Sequence, residues 1–431
     1  MFIEFFLIVV TLILLIVFTR YFGIFSTPAL FMYSMLLFQI IPLLYGSLTN
    51  FYGYDLTRQN LLAILGMIAF AVGYVPLGLA RNRALKAGRA AHLSLERSRA
   101  IFKVAIWGSL ALFPLTAATA LRFFLERRGG EYGLTEPIST MEQFLFYTAL
   151  CFFALALSVN LKHIPLKWVW LLAAVVILPR LLVSLVYSRI FIFLAIIPLL
   201  YALFFSRLNF RLSRSKALLA FALLGLFVVV PALTRDTSVI ASSQRFETLI
   251  MNGSSIPILE KYERYEINRD QSYVFASVVL KAIPFSVPLP DNYRIDVWGM
   301  EGAVATLDRV LSHHENQGRQ DVFFGTGSNY LHELFIDFGW LGVGVGGILV
   351  GSVAAYIEYR GVTSILFRYI WLSILTSFLF LPRSNVGYFL EKLPLYLLFY
   401  LLIWLVMKIV LSATAASRKR AHARGQGVHN S

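Results

Sequence analysis

WVWLLAAVVILPRLLVSLVYSRIFIFLAIIPLLYALFFSR, residues 168–207, reads as two apolar blocks, 168–187 and 190–206, parted by Ser188-Arg189 and closed by Arg207. A helix rises ~1.5 Å per residue, so roughly twenty apolar residues cross a hydrocarbon core ~30 Å thick. Each block therefore predicts a membrane-crossing helix. The pattern recurs near 2–19, 28–48, 61–80, 101–121, 143–160, 217–233, 329–357, 361–381 and 394–411, which predicts eleven spans. Of the 431 residues, 58% are hydrophobic and only 14% charged, too little polar surface to cover a soluble fold of this size. Blocks of this length exclude a barrel, whose strands alternate over ~10 residues. The fold class is thus all-α, a polytopic membrane protein. The first block begins at residue 2 with no basic n-region or small-residue cleavage site and reads as a retained helix. The single cysteine, Cys151, lies inside an apolar block and allows neither an intrachain disulfide nor a cysteine-based metal site.

Basic residues near span ends are held in the cytoplasm, and this sets the orientation. Arg81, Arg83, Lys86, Arg89, Arg97, Arg99 and Lys103 mark one cytoplasmic loop, and Arg207, Arg211, Arg214 and Lys216 mark another. Eleven spans then put the N-terminus outside and the tail, with Arg418, Lys419, Arg420 and Arg424, inside. On this threading the cytoplasmic segments hold 21 Lys and Arg against 2 Asp and Glu, and the outer side holds 17 against 21. The net charge of +15 is therefore a topology signal with an attraction to anionic membrane lipids, and predicts no nucleic-acid partner.

The chain divides into an N-terminal membrane region, 1–233, a large outer loop, 234–328, a C-terminal membrane region, 329–411, and a basic tail, 412–431. Connections as long as 234–328 are usually functional. Within it, 258–269 and 302–311 carry helical spacing, with the prolines at 284, 288 and 290 between them.

There is no GxxxxGK[ST], HExxH, GxSxG or CxxC, so no nucleotide or other cofactor is expected. Gly342, Gly344 and Gly347 match GxGxxG, but inside a span with no preceding strand; with Gly351 they read as small residues for close helix packing. His313, His314 and Glu315 are adjacent and cannot all face one ion from a regular element, so they read as a solvated loop and no metal is expected.

Chemistry points instead to arginines at the outer ends of spans: Arg180 beside Pro179, Arg189, Arg235 and Arg383 beside Pro382, with Arg245 in the loop. An arginine at the centre of a span costs about 2.5–3.5 kcal/mol, less near an end, and such groups face polar cavities. Guanidinium forks bind phosphate oxygens and stabilise charge on a diphosphate leaving group. A second cluster opens the ninth span, where Asn329, His332, Glu333 and Asp337 enter an apolar helix after Gly325 and Gly327. A histidine or a buried carboxylate there is a candidate general base. Outer aromatics, Tyr262, Tyr265, Tyr293 and Trp298, are candidate ligand contacts, since a flat ring stacks on a flat or apolar ligand face.

The stretch Glu333-Leu-Phe-Ile-Asp-Phe-Gly339-Trp-Leu-Gly342 resembles the E-L-[YF]-x-x-[FY]-G-x-x-G signature of Wzy-type O-antigen and oligosaccharide repeat-unit polymerases. Ser188–Arg189, Arg383–Ser384 and the layout, with one large outer loop before the signature helix, fit as well. The resemblance implies a GT-C-like, metal-independent glycosyltransferase of the bacterial inner membrane, with its active site on the periplasmic side. It implies transfer of a growing glycan from undecaprenyl diphosphate to the outer sugar of an incoming lipid-linked unit, with a chain-length regulator and a flippase as possible partners. It places Arg189 and Arg383 at the family's basic positions and Glu333 at its acidic one. O-antigen ligases are similar, but their helix carries a histidine where this chain has Ser328. A flippase of lipid-linked oligosaccharide is the alternative from another class; the internal symmetry and midplane polar residues expected of a transporter are missing from both halves.

Overall fold

The computed structural model describes residues 2–87, 95–128, 140–159, 161, 164–186, 190–206, 256–267, 271–280, 290–297, 300–315, 328–406 and 408. Helices α1 (Phe2–Phe22), α2 (Thr27–Met35), α3 (Ile41–Thr49), α4 (Thr57–Lys86), α5 (Leu95–Arg128), α6 (Thr140–Ser158), α7 (Leu166–Val186) and α8 (Ile190–Ser206) precede the segment that links the two membrane regions. That segment contains α9 (Ile258–Arg264), α10 (Tyr273–Phe275), the strands β1 (Arg294–Val297) and β2 (Met300–Val304), and α11 (Leu307–Glu315). The chain then returns through α12 (Tyr330–Thr363), α13 (Ile365–Leu379) and α14 (Leu393–Val406).

Eight helical stretches are long and apolar enough to cross a membrane, counting α2 and α3 as one through the π turn Leu36–Ile40, and segments of α8 and α14 are shorter apolar helices. The described residues therefore carry eight full-length spans against eleven expected; the span expected over 217–233 lies outside them. The molecule is an all-α, multi-pass membrane protein.

Helices α4 and α12 form the central pair, because their glycines let the backbones touch. A Cβ at Gly73 would lie 2.1 Å from the Ile348 carbonyl oxygen, and one at Gly351 would lie 2.3 Å from that of Phe70. Gly347 and Gly351 thus serve packing against α4, as their spacing predicted; Gly342 instead meets the Leu334 carbonyl of its own chain, and Gly344 has nothing within 4 Å and takes no part in packing.

The ninth span is two helical pieces rather than one. At Gly339 the backbone takes φ 63° and ψ −155°, a conformation nearly reserved for glycine. The chain folds back there: a Cβ at Gly346 would meet the Leu334 side chain at 2.6 Å, whereas residues twelve apart in a straight helix are about 18 Å apart. Residues 330–334 are thereby buried in the bundle, where Leu331 packs over Gly66 of α4.

The segment between α8 and α12 has its own apolar core, including Ile258, Tyr262, Ile267, Tyr273, Leu307 and Leu311. Two expectations fail here. The helix expected over 258–269 ends at Arg264, and Glu266 turns to φ 46°. The helix expected from 302 starts only at Leu307, because Ala303 and Val304 pair with Ile295 and Arg294 in an antiparallel hairpin. His313 and His314 lie in the last turn of α11 rather than in a loop. An ion pair from Arg58 at the start of α4 to Glu263 on α9 joins this unit to the bundle.

Candidate active site

Glu333 is the hub of the loop end of the bundle. It is fully buried, and its carboxylate accepts the Val386 backbone N–H at 2.8 Å, the Ser328 hydroxyl at 3.1 Å and the Ser277 hydroxyl at 3.3 Å. These donors come from three separate stretches: the approach to α12, the turn that follows α13, and the π segment 276–280 after α10. The approach of the last two is so close that a Cβ at Gly387 would lie 1.7 Å from the Ser277 carbonyl oxygen. Asn329 caps α12, its side chain accepting the Leu331 N–H at 2.9 Å, and its carbonyl takes the N–H groups of His332 and Glu333. His332 is buried beside Glu333.

One turn after Glu333, Asp337 performs the reciprocal task. It accepts the Ser272 hydroxyl at 2.7 Å and the Val274 and Tyr273 N–H groups at 2.7 and 3.1 Å, so it holds the first turn of α10 against α12. A carboxylate suits a helix N-terminus, where backbone N–H groups lack partners. The clamp fixes the segment that delivers Ser277 to Glu333.

The arginines take different positions. Arg180 of α7 is 1% exposed; its guanidinium donates to the Val176 carbonyl at 2.9 Å and to the Phe146 carbonyl of α6, and lies over the Phe146 ring. Arg383 ends the 3₁₀ turn Leu381–Arg383, exposed, with its guanidinium 5.8 Å from the centroid of Phe38. Arg189, Arg235, Arg245 and Trp298 lie outside the described residues. Tyr262 is buried edge-on against Tyr273, and Tyr265 stacks on His314 at 5.6 Å. Burial, with His313 beside it, holds the His314 imidazole below its ordinary pKa. Among the described residues no three His, Cys, Asp or Glu side chains gather as a metal site would need.

A family model described as O-antigen polysaccharide polymerase Wzy matches residues 1–413. The chain belongs to that family. No curated protein matches it, and no solved structure does. The Wzy chain is thus a glycosyltransferase-type polymerase of polysaccharide biosynthesis that acts on lipid-linked oligosaccharide repeat units in a membrane.

Several groups around Glu333 of this polymerase were not evident from its sequence. Ser277 and Ser328 are ordinary loop serines by composition, and the Val386 N–H leaves no trace in a side-chain pattern.

Proposed function

We propose that this Wzy polymerase transfers the growing glycan from a polyprenyl diphosphate carrier to the outer sugar of an incoming lipid-linked unit, at the end of the bundle that carries residues 256–315. The observation that carries this reading is the set of bonds on Glu333. The backbone bond at 2.8 Å anchors the carboxylate, while the two serine bonds, at 3.1 and 3.3 Å, are long for O–H···O contacts, which cluster near 2.7–2.8 Å. A substrate hydroxyl can replace either serine without moving the anchor.

In the proposed step the acceptor hydroxyl oxygen bonds to the anomeric carbon of the donor as the bond from that carbon to the diphosphate breaks. Glu333 takes the hydroxyl proton, and His332 beside it completes the polar wall. The diphosphate leaves with its charge, met by Arg383 at the rim and by Arg189, Arg235 and Arg245, with Arg180 supporting the wall from below. Asn329, Tyr262, Tyr265 and Trp298 stand as candidate sugar contacts. The reaction needs no metal or nucleotide in this scheme, and the active end faces the periplasm, as the basic loops 81–103 and 207–216 argue. Flippase and chain-length regulator are the expected partners.

The test is Glu333→Gln, which keeps size and most bonds but removes the base. Purified protein given a polyprenyl-diphosphate-linked repeat unit, without nucleotide or metal, should yield a ladder of repeat multiples, and the variant should lose it by at least about 100-fold. A full ladder from Glu333→Gln removes the carboxylate from this role; no ladder from the parent protein removes the transfer scheme.

A further inference from the structure

Two buried amides flank the groups that hold Glu333. Asn329 follows Ser328 and is fully buried; Asn385 precedes Val386 and is 2% exposed. The Asn329 Oδ1 is used as the cap of α12, but its Nδ2 has no hydrogen-bond partner, and neither has the Asn385 Oδ1. Buried side-chain polar atoms are nearly always bonded, and leaving one unmade costs about 1–3 kcal/mol. Here one is a donor and the other an acceptor, each on the residue next to a group that bonds the Glu333 carboxylate. The two carboxylates beside them, by contrast, are each met by three donors: Asp337 by Ser272, Tyr273 and Val274, Glu333 by Ser277, Ser328 and Val386.

The chemistry of the unmatched atoms selects the ligand. An amide N–H donates and an amide C=O accepts, and a sugar hydroxyl does both. A phosphate oxygen would suit Asn329 but would be repelled by the Asn385 carbonyl and by Glu333, so the diphosphate is the wrong occupant. We infer that Asn329 Nδ2 and Asn385 Oδ1 form a hydroxyl-recognition subsite for the acceptor sugar, next to the carboxylate. This rests on the reading of Glu333 as the transfer site and assigns Asn385 a part in choosing the sugar. A site built to bond a hydroxyl discriminates strongly against a sugar that lacks it, because the amides are then left unpaired.

The experiment uses full-length protein in detergent and the lipid-linked repeat unit extracted from the source organism with this gene deleted. Binding is read as the rise in thermal midpoint with added repeat unit. Asn385→Leu removes the acceptor in similar volume, and Asn329→Ser keeps a helix cap while removing the amide donor. Each variant should bind the repeat unit about tenfold more weakly while its unliganded midpoint stays level or, for Asn385→Leu, rises, since an unmatched polar atom has been removed. Unchanged binding, or an unliganded midpoint that falls by several degrees, overturns the proposal and makes the amides structural. Chain extension measured on the same samples separates the two readings: binding lost in the variants while the parent makes no ladder supports the subsite and removes the transfer scheme.

Discussion

At the scale of single residues, burial decides what an arginine can do. Arg180 is 1% exposed and committed to two carbonyls and a ring, whereas Arg383 is exposed with its guanidinium over Phe38. Their alanine variants should therefore fail differently. Arg180→Ala removes hydrogen bonds from a charged donor, worth about 1.5–3 kcal/mol each, and should lower the thermal midpoint in detergent. Arg383→Ala empties no packed space and should leave the midpoint within about a degree, while chain extension falls by at least about tenfold if its charge meets the diphosphate. Equal midpoints for both variants would contradict the burial argument, and full activity of Arg383→Ala would detach it from the leaving group.

At the scale of elements, the break in α12 sets the depth of the site. Gly339 holds φ 63° and ψ −155°, and Gly339→Ala should cost about 1–3 kcal/mol in strain or straighten the helix. Straightening would carry His332 and Glu333 out of the bundle, so chain extension should vanish although the protein still inserts; an active, equally stable variant would show that the fold-back is not needed. This geometry also marks the limit of sequence reading. The spans were legible because roughly twenty apolar residues between charges have one physical solution. Close packing at Gly347 and Gly351 was legible for the same reason, as small residues at helical spacing serve contact. The fold-back was not, since Gly339 sits in an apolar run that periodicity reads as continuous. Nor was the 294–304 hairpin, because Ala303, Leu307 and Leu311 share a helical spacing by coincidence while backbone pairing with Arg294 and Ile295 fixes the first of them in a strand. Glu333 could be singled out as a carboxylate in an apolar helix, but its partners Ser277 and Val386 lie 56 and 53 residues away and only tertiary structure brings them in.

At the scale of the whole molecule, α12 carries one buried carboxylate near each end. Glu333 gathers the loop end. Glu358, near the other end, accepts the Thr27 hydroxyl at 2.7 Å and the Tyr74 and Tyr201 hydroxyls, with the Arg81 guanidinium at 3.9 Å. It thereby ties α2, α4 and α8 to α12 in one polar knot that is shut away from the loop end. Breaking a buried ion pair by removing one partner strands the other charge and typically costs about 3–5 kcal/mol. The two carboxylates should then prove separable by function. Glu358→Ala should lower the thermal midpoint sharply, while the fraction that remains folded at low temperature extends chains with an unchanged KM. Glu333→Gln should do the reverse, keeping the midpoint near that of the parent and losing extension. Midpoint and KM measured on both variants decide the matter: a Glu358→Ala protein that is stable but inactive would mean that the knot transmits to the loop end, and the division of α12 into a holding end and a working end would fall.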